Sequence, residues 1–298
     1  MKNFSDYFLL SIILIAFAAN SVLNRLALKT TSLAETVAID PASFTMIRLM
    51  SGAIVLVLLL YFSGKKLSKP KALHWRGSVF LFVYAITFSY AYISLDAAIG
   101  ALILFGIVQI CIIAIAIFRG KRLSFYEWLG CLLAVVGLLV LTLPHVIAVA
   151  KESSQQLSVI AILLMVVAGV AWGLFTVNGA GSKDSMFDTA TCFVLSLPLI
   201  FLVSIIVLVK QDITYSAYGI MLAMLSGVFA SGLGYAMWYQ ILPRLAPSQA
   251  ASAQLLVPII AAGGGLLFLN EQLTLNFIVA AVLTLGGVLI VIRASNKA

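Results

Sequence analysis

The chain has 298 residues, 63% of them hydrophobic and 9% charged, with a net charge of +8 and a mean hydropathy of +1.16. Soluble domains run at about 25% charged residues, so a water-exposed surface is excluded and an integral all-α membrane protein is expected. The apolar runs are long and unbroken rather than alternating segments of about ten residues, which excludes an outer-membrane barrel.

A membrane-spanning helix takes ~20 apolar residues. The runs predict ten: Tyr7–Leu26, Phe44–Phe62, Gly77–Leu95, Ala97–Phe118, Phe125–Leu143, Val159–Asn178, Thr189–Val209, Ala217–Tyr239, Pro247–Leu269 and Leu273–Ile292. The first is read as a retained helix, not a signal peptide. It carries Asn20 and Asn24, which are four apart and share one helix face. Such amides either glue a bundle or bind a solute. Arg48 opens the second span, after Asp40. It is either a structural arginine paired with Asp40 or an anchor for a substrate carboxylate, which its planar fork fits bidentately.

Tyr84 lies in the third span, with Phe88, Tyr90 and Tyr92, and Gln109 lies midway along the fourth. Trp172 is in the sixth span, and Tyr235, Trp238 and Tyr239 are in the eighth. Gln254 and Pro258 occupy the ninth, with Gly263 and Gly264 behind them. Proline removes a helical hydrogen bond, so a kink or hinge is expected there. A central cavity walled by Asn20, Tyr84, Gln109, Trp172, Trp238 and Gln254, with Asn24 and Arg48 close by, would suit neutral or zwitterionic small molecules with an apolar part.

The other residues narrow the function. None of the acids falls near a span centre, and His74 and His145 stand at span ends. A midplane proton relay is therefore not expected. Cys111, Cys131 and Cys192 lie in apolar runs and read as packing residues. With no P-loop, zinc spacing or catalytic triad, neither an enzyme nor a cofactor or metal is expected. A non-transporting scaffold or accessory subunit, a membrane-embedded enzyme and a channel are the competing classes. A monomer and a homodimer both fit.

Two features give the organisation. Lys121-Arg122-Leu123-Ser124 precedes a span with Gly137, and Glu271-Gln272-Leu273-Thr274 precedes one with Gly287, at a constant offset of about 150. This predicts a five-helix unit at 1–150 and a second at 151–298. Five is odd, so the second copy is inverted, as in carriers with a midplane site. With the N-terminus cytoplasmic, that side holds Lys2, Lys65, Lys66, Lys69, Lys71, Arg76, Arg119, Lys121, Arg122, Lys183, Arg244, Arg293 and Lys297. The other side holds only Arg25, Lys29, Lys151 and Lys210. The positive-inside rule then places both termini in the cytoplasm, so the basic excess reports topology and not nucleic-acid binding.

The chain resembles the EamA family of the drug/metabolite transporter superfamily. The residues carrying the resemblance are Pro41, Phe44 and Arg48, then Trp172-Gly173, then Pro258 with Asn270-Glu271-Gln272-Leu273-Thr274 and Gly286-Gly287. The first half departs from the pattern: Val108 stands where the repeat places Pro258, Lys121 where it places Glu271, and Phe17-Ala18 opposite Trp172-Gly173. The resemblance implies a ten-helix carrier of the inner membrane, often an exporter of amino acids or other small metabolites.

Overall fold

The structure, a computed structural model, describes residues 4–29, 38–65, 69–120, 122–149, 156–180, 182–210, 214–241 and 253–295. The helices are α1 (Phe4–Leu28), α2 (Pro41–Phe62), α3 (Ala72–Ala91), α4 (Ala97–Phe118), α5 (Phe125–Val149), α6 (Gln156–Gly179) and α7 (Ser185–Lys210). They are followed by α8 (Ala217–Leu225), a π-helical stretch (Ser226–Leu233) and α9 (Gly234–Ile241), which run on as one rod, then α10 (Leu256–Leu269) and α11 (Leu275–Ser295).

Local chemistry sets the ends. Asp40 caps α2 by accepting from the Ser43 N–H at 2.9 Å, and Pro41 fills the first helical position, where no N–H is needed. The second span therefore starts three residues earlier than its apolar run. Ser124 and Glu127 form a capping box on α5, and Thr274 accepts from the Phe277 N–H at 3.2 Å to cap α11. Ser124 and Thr274 belong to the two polar turns that match in sequence, so the motif has a structural cause: each turn supplies an N-cap.

Among the described residues, eight helices are long and apolar enough to cross a membrane: α1, α2, α4 to α7, the α8–α9 rod and α11. The other two expected spans fall short for different reasons. The described part of the ninth span, α10, has 14 residues, or about 21 Å of helix against a hydrocarbon core of about 30 Å. α3 has the length, but it opens on His74, Trp75 and Arg76 and carries three tyrosines in its second half and C-cap.

The packing repeats itself. α5 lies along α11, and α2 lies against α7. The pairing of α1 with α10 is matched by that of α6 with α4, and the pairing of α3 with α6 by that of the α8–α9 rod with α1. Small residues let α5 and α11 touch. A Cβ on Gly130 would lie 2.5 Å from the Gly287 carbonyl, and one on Gly137 would lie 2.9 Å from that of Ala280. Those two contacts exchange under the 150-residue offset.

The bundle has a near end, where α2 finishes and α3 begins, and a far end, where α1 finishes and α4 begins. At the far end the two halves clasp through an antiparallel bridge between Ile39 and Tyr215. There the Asp40 N–H donates to the Thr214 carbonyl and the Ser216 N–H to that of Ala38, at 2.8 and 2.9 Å.

Candidate functional site

A cavity of about 620 Å³ occupies the middle and near half of the bundle. It is bounded by α1, α3, α4, α6, α7 and the α8–α9 rod. Its deep part is aromatic. Trp172 stacks on Phe175 and on Tyr235, with ring centroids 5.3 Å apart in each case. Tyr84 leans on Trp172 at 4.7 Å, and Phe17 links Tyr235 to Trp238 at 5.7 and 5.9 Å. Amides punctuate this wall at Asn20, Gln109 and Gln254. Asn20, Tyr84, Gln109, Trp172, Trp238 and Gln254 thus all border one space.

Arg48 and Asn24 stand behind the wall. Arg48 is 1% exposed. Its Nη2 donates to the Tyr84 hydroxyl at 3.1 Å, its Nε donates to the Ser231 hydroxyl at 3.2 Å, and its Nη1 has no hydrogen-bond partner among the described residues. Asp40, a candidate counter-ion, instead caps α2, and no carboxylate among the described residues lies within ion-pair distance of Arg48. The guanidinium lies 5.2 and 5.3 Å from the ring centres of Tyr84 and Phe88, a cation–π arrangement worth about 2 kcal/mol when dry. The π-helical stretch makes room for it. Gly227 leaves space where any Cβ would collide with the Arg48 carbonyl and the Ser51 hydroxyl, and Ser231 projects from the same wide turn. π-turns concentrate at functional sites.

The Tyr84 hydroxyl also accepts from Asn20 Nδ2 at 3.1 Å, and the Asn20 side-chain oxygen accepts from Ser226 at 2.7 Å. Asn24 donates to the Asn20 carbonyl at 2.8 Å and accepts from Ser89 at 3.0 Å. This buried network joins α1, α3 and the π-helical stretch through Asn20, and reaches α2 through Tyr84. Asn24 is one of its internal members, while Asn20 has one face on the cavity.

The far end is shut. Arg25 donates to the Tyr92 and Ile93 carbonyls at 3.0 and 2.7 Å, and pairs with Asp96 at 3.2 Å and Glu271 at 3.6 Å. Both Glu271 oxygens accept from the Ala97 N–H at 3.0 Å, so the carboxylate also meets the positive end of α4. Asn270 adopts the left-handed conformation, φ 53°, which turns Glu271 back beneath Gly265. Glu271 lies between α10 and α11, outside the spans. Burial pushes its carboxyl above the usual range, against the lowering influence of the Ala97 N–H and Arg25. Beneath this lock, Val22, Ala97 and Leu269 form an apolar plug.

Of the residues expected to form a hinge, Pro258 lies in the first turn of α10, which a turn at Leu255 separates from the helical residues 253 and 254. The expected bend is therefore a break just ahead of the proline, which cannot accommodate a helical Gln254 carbonyl. Gly264 abuts Val22, where a Cβ would lie 2.6 Å from Cγ2, whereas a Cβ on Gly263 meets nothing within 4 Å. Gly264 is thus a close-packing residue and Gly263 is not.

The near end is the mouth, bordered by Leu73, His74, Asn178, Ser182 and Asp188 among others. Sequence reasoning missed these residues by treating span ends as outside any site. The signal available was the coincidence of one of only two histidines with one of ten acids at ends that the topology places side by side.

The sequence profile of the EamA-like transporter family matches residues 5–143 and again 159–293. The chain belongs to this family of membrane transporters. An uncharacterized protein of Pseudomonas aeruginosa is 42% identical over 279 residues, covering 94% of this chain and 91% of that protein. The uncharacterized transporter YoaV of Bacillus subtilis is 23% identical over 84% of this chain and 86% of its own. An uncharacterized transporter of Archaeoglobus fulgidus is 26% identical over 81% and 83%. A protein of known crystal structure shares the fold with a TM-score of 0.63 at 20% identity, covering 97% of this chain and 99% of its own.

Proposed function

We propose that this transporter is an inner-membrane secondary carrier that exports small neutral or zwitterionic metabolites, amino acids among them, by alternating access. In this reading ten spans form two inverted five-helix repeats, 1–150 and 151–298, and both termini are cytoplasmic. The near end faces the cytoplasm, so the cavity is inward-open and the Arg25–Glu271 lock shuts the outer side.

One observation carries the substrate class: an aromatic and amide pocket backed by Arg48, which has no carboxylate partner among the described residues. Aromatic faces take an apolar body, and a few polar groups fix its orientation. A buried guanidinium without a counter-charge is costly, and a carboxylate brought to the Tyr84 wall would relieve it. A dianionic sugar phosphate would call for several cations, and among the described residues the deep pocket has only Arg48 beside it.

Counterflow in proteoliposomes tests this. Vesicles preloaded with each unlabelled amino acid in turn should accumulate the labelled form. Gln109→Ala and Trp238→Ala should lower the rate at least ten-fold while the protein stays folded in the membrane. Absence of counterflow for every amino acid would remove the substrate class, and normal rates in both variants would remove the site. A cysteine replacing the exposed Lys69 should resist impermeant labelling from outside intact cells, and labelling there would reverse the orientation.

A further inference from the structure

We propose that His74 and Asp188 form a proton-binding site in the cavity wall at its mouth, and that proton uptake there resets the mouth. On the carrier reading above, the proton is then the ion exchanged against solute.

The geometry fixes the starting state. His74 is 1% exposed. Its Nδ1 accepts from the Lys71 backbone N–H at 3.0 Å, so Nδ1 carries a lone pair and the ring proton sits on Nε2. That Nε2–H points at Asp188 Oδ1, 2.8 Å away. The other Asp188 oxygen accepts from the Ser182 hydroxyl. The pair is thus a neutral imidazole on a carboxylate, with both residues bordering the cavity.

Adding a proton has a defined mechanical result. It goes to Nδ1, the ring nitrogen with a lone pair. The Lys71 N–H then faces an N–H and loses its acceptor. That bond is half of the capping arrangement that starts α3, and a cation in the first helical turn also opposes the helix dipole. The imidazolium is drawn instead to Asp188 on α7. Protonation therefore trades the α3 cap for a tighter α3–α7 ion pair at the mouth. An imidazole ordinarily changes charge between about pH 5 and 8, the range of cytoplasmic and external pH.

The charged surroundings allow this. α3 itself contributes Lys71 and Arg76, both exposed. Lys65, at the end of α2, is taken up by Asp184. The connection before α7 adds Lys183. α7 offers Asp188 and Cys192, whose thiol meets the His74 carbonyl, and α6 brings the amide Asn178, which donates to the Leu73 carbonyl at 3.0 Å. The expectation that a proton relay is absent applied to the span centres; a pair at the mouth leaves it intact.

His74→Gln is the discriminating variant. A glutamine can accept from the Lys71 N–H and donate to Asp188, so it keeps both hydrogen bonds and cannot gain the proton. The first measurement needs no substrate. In untagged ¹⁵N-histidine protein carrying His145→Gln, His74 is the remaining imidazole. Nitrogen NMR should show the Nε2–H tautomer at alkaline pH and its conversion to imidazolium on acidification. Asp188→Asn should weaken proton binding, because an adjacent carboxylate favours the cation.

The second measurement reads the mouth. Spin labels at Ala72→Cys and Ala180→Cys, with the native cysteines replaced by serine, should show a distance distribution that shifts over the same pH range. In His74→Gln the distribution should not shift. A histidine that stays neutral down to pH 5, or a shift that survives His74→Gln, would overturn the proposal. Failure of counterflow for every amino acid would instead strike the carrier reading, and the substrate-free measurements would still decide the proton site.

Discussion

The two ends of the bundle are built from helices that pack in matching pairs, and they are closed differently. At the far end, Glu271 bridges Arg25 and the start of α4, over a plug of Val22, Ala97 and Leu269. At the near end the corresponding elements part around a cavity mouth. The sequence offset bears on the difference. The 150-residue offset places Lys121, which lies outside the described residues, where Glu271 stands. Matching Trp172 to Phe17 places Ala180 opposite Arg25. Neither member of the lock has a counterpart. The far-end contact thus rests on polar side chains that the sequence offset does not repeat.

The largest effect should come from breaking the lock. Arg25 and Glu271 side chains are 9% and 3% exposed. Stranding a buried charge costs about 3–5 kcal/mol, and because Arg25 keeps Asp96 at 3.2 Å the loss of Glu271 should cost less than that. Glu271→Ala should lower thermal stability in detergent and open the far end. A cysteine replacing Ser21, on the cavity floor, should then become labelled from the far side of sealed vesicles. Unchanged protection of that cysteine would mean that the apolar plug alone holds the end closed.

A smaller effect separates the two glycines expected at the hinge. Gly264→Val drives a branched side chain against Val22 and should cost about 1–3 kcal/mol by overpacking. It should also raise far-side labelling at Ser21→Cys. Gly263→Ala meets open space and should leave both readouts unchanged. Equal effects would show that the glycine run acts as a flexible hinge and not as a packing surface.

This contrast marks what was legible in the sequence. Hydrophobic runs located the helices, because a bilayer demands them, although α3 and the described part of α10 fall short of a span. The aromatic and amide wall was legible because polar side chains are rare inside spans and must face something other than lipid. The environment of Arg48 was not. Its neighbours Ser231 and Gly227 owe their positions to a π-helical stretch, which shifts side-chain direction relative to the 3.6-residue repeat. Asp40 lay near enough in sequence to suggest an ion pair, but the N-cap of α2 claims it. The mouth was missed because His74 and Asp188 are 114 residues apart, and only the packing of α3 against α7 joins them.

The subtlest test sets lock opening against unfolding. Burial holds the Glu271 carboxyl above its ordinary range in the folded protein. An acid whose folded pKa is raised binds more protons folded than unfolded, so its contribution to stability grows as pH falls. The gain begins near the folded pKa and is complete below the unfolded value of about 4.3. Acid should therefore not unfold the protein through this residue. The protonated carboxyl nonetheless exerts no net charge on Arg25, so the lock should loosen over the same window. Mild acid is expected to raise far-side labelling of Ser21→Cys a few-fold with no fall in thermal stability attributable to this residue. Glu271→Gln, neutral at every pH, should show the raised labelling already at neutral pH and little further change on acidification. If labelling in that variant instead climbs with acid as in the native sequence, the acid response lies elsewhere, and Asp96, the other carboxylate on Arg25, becomes the residue to replace.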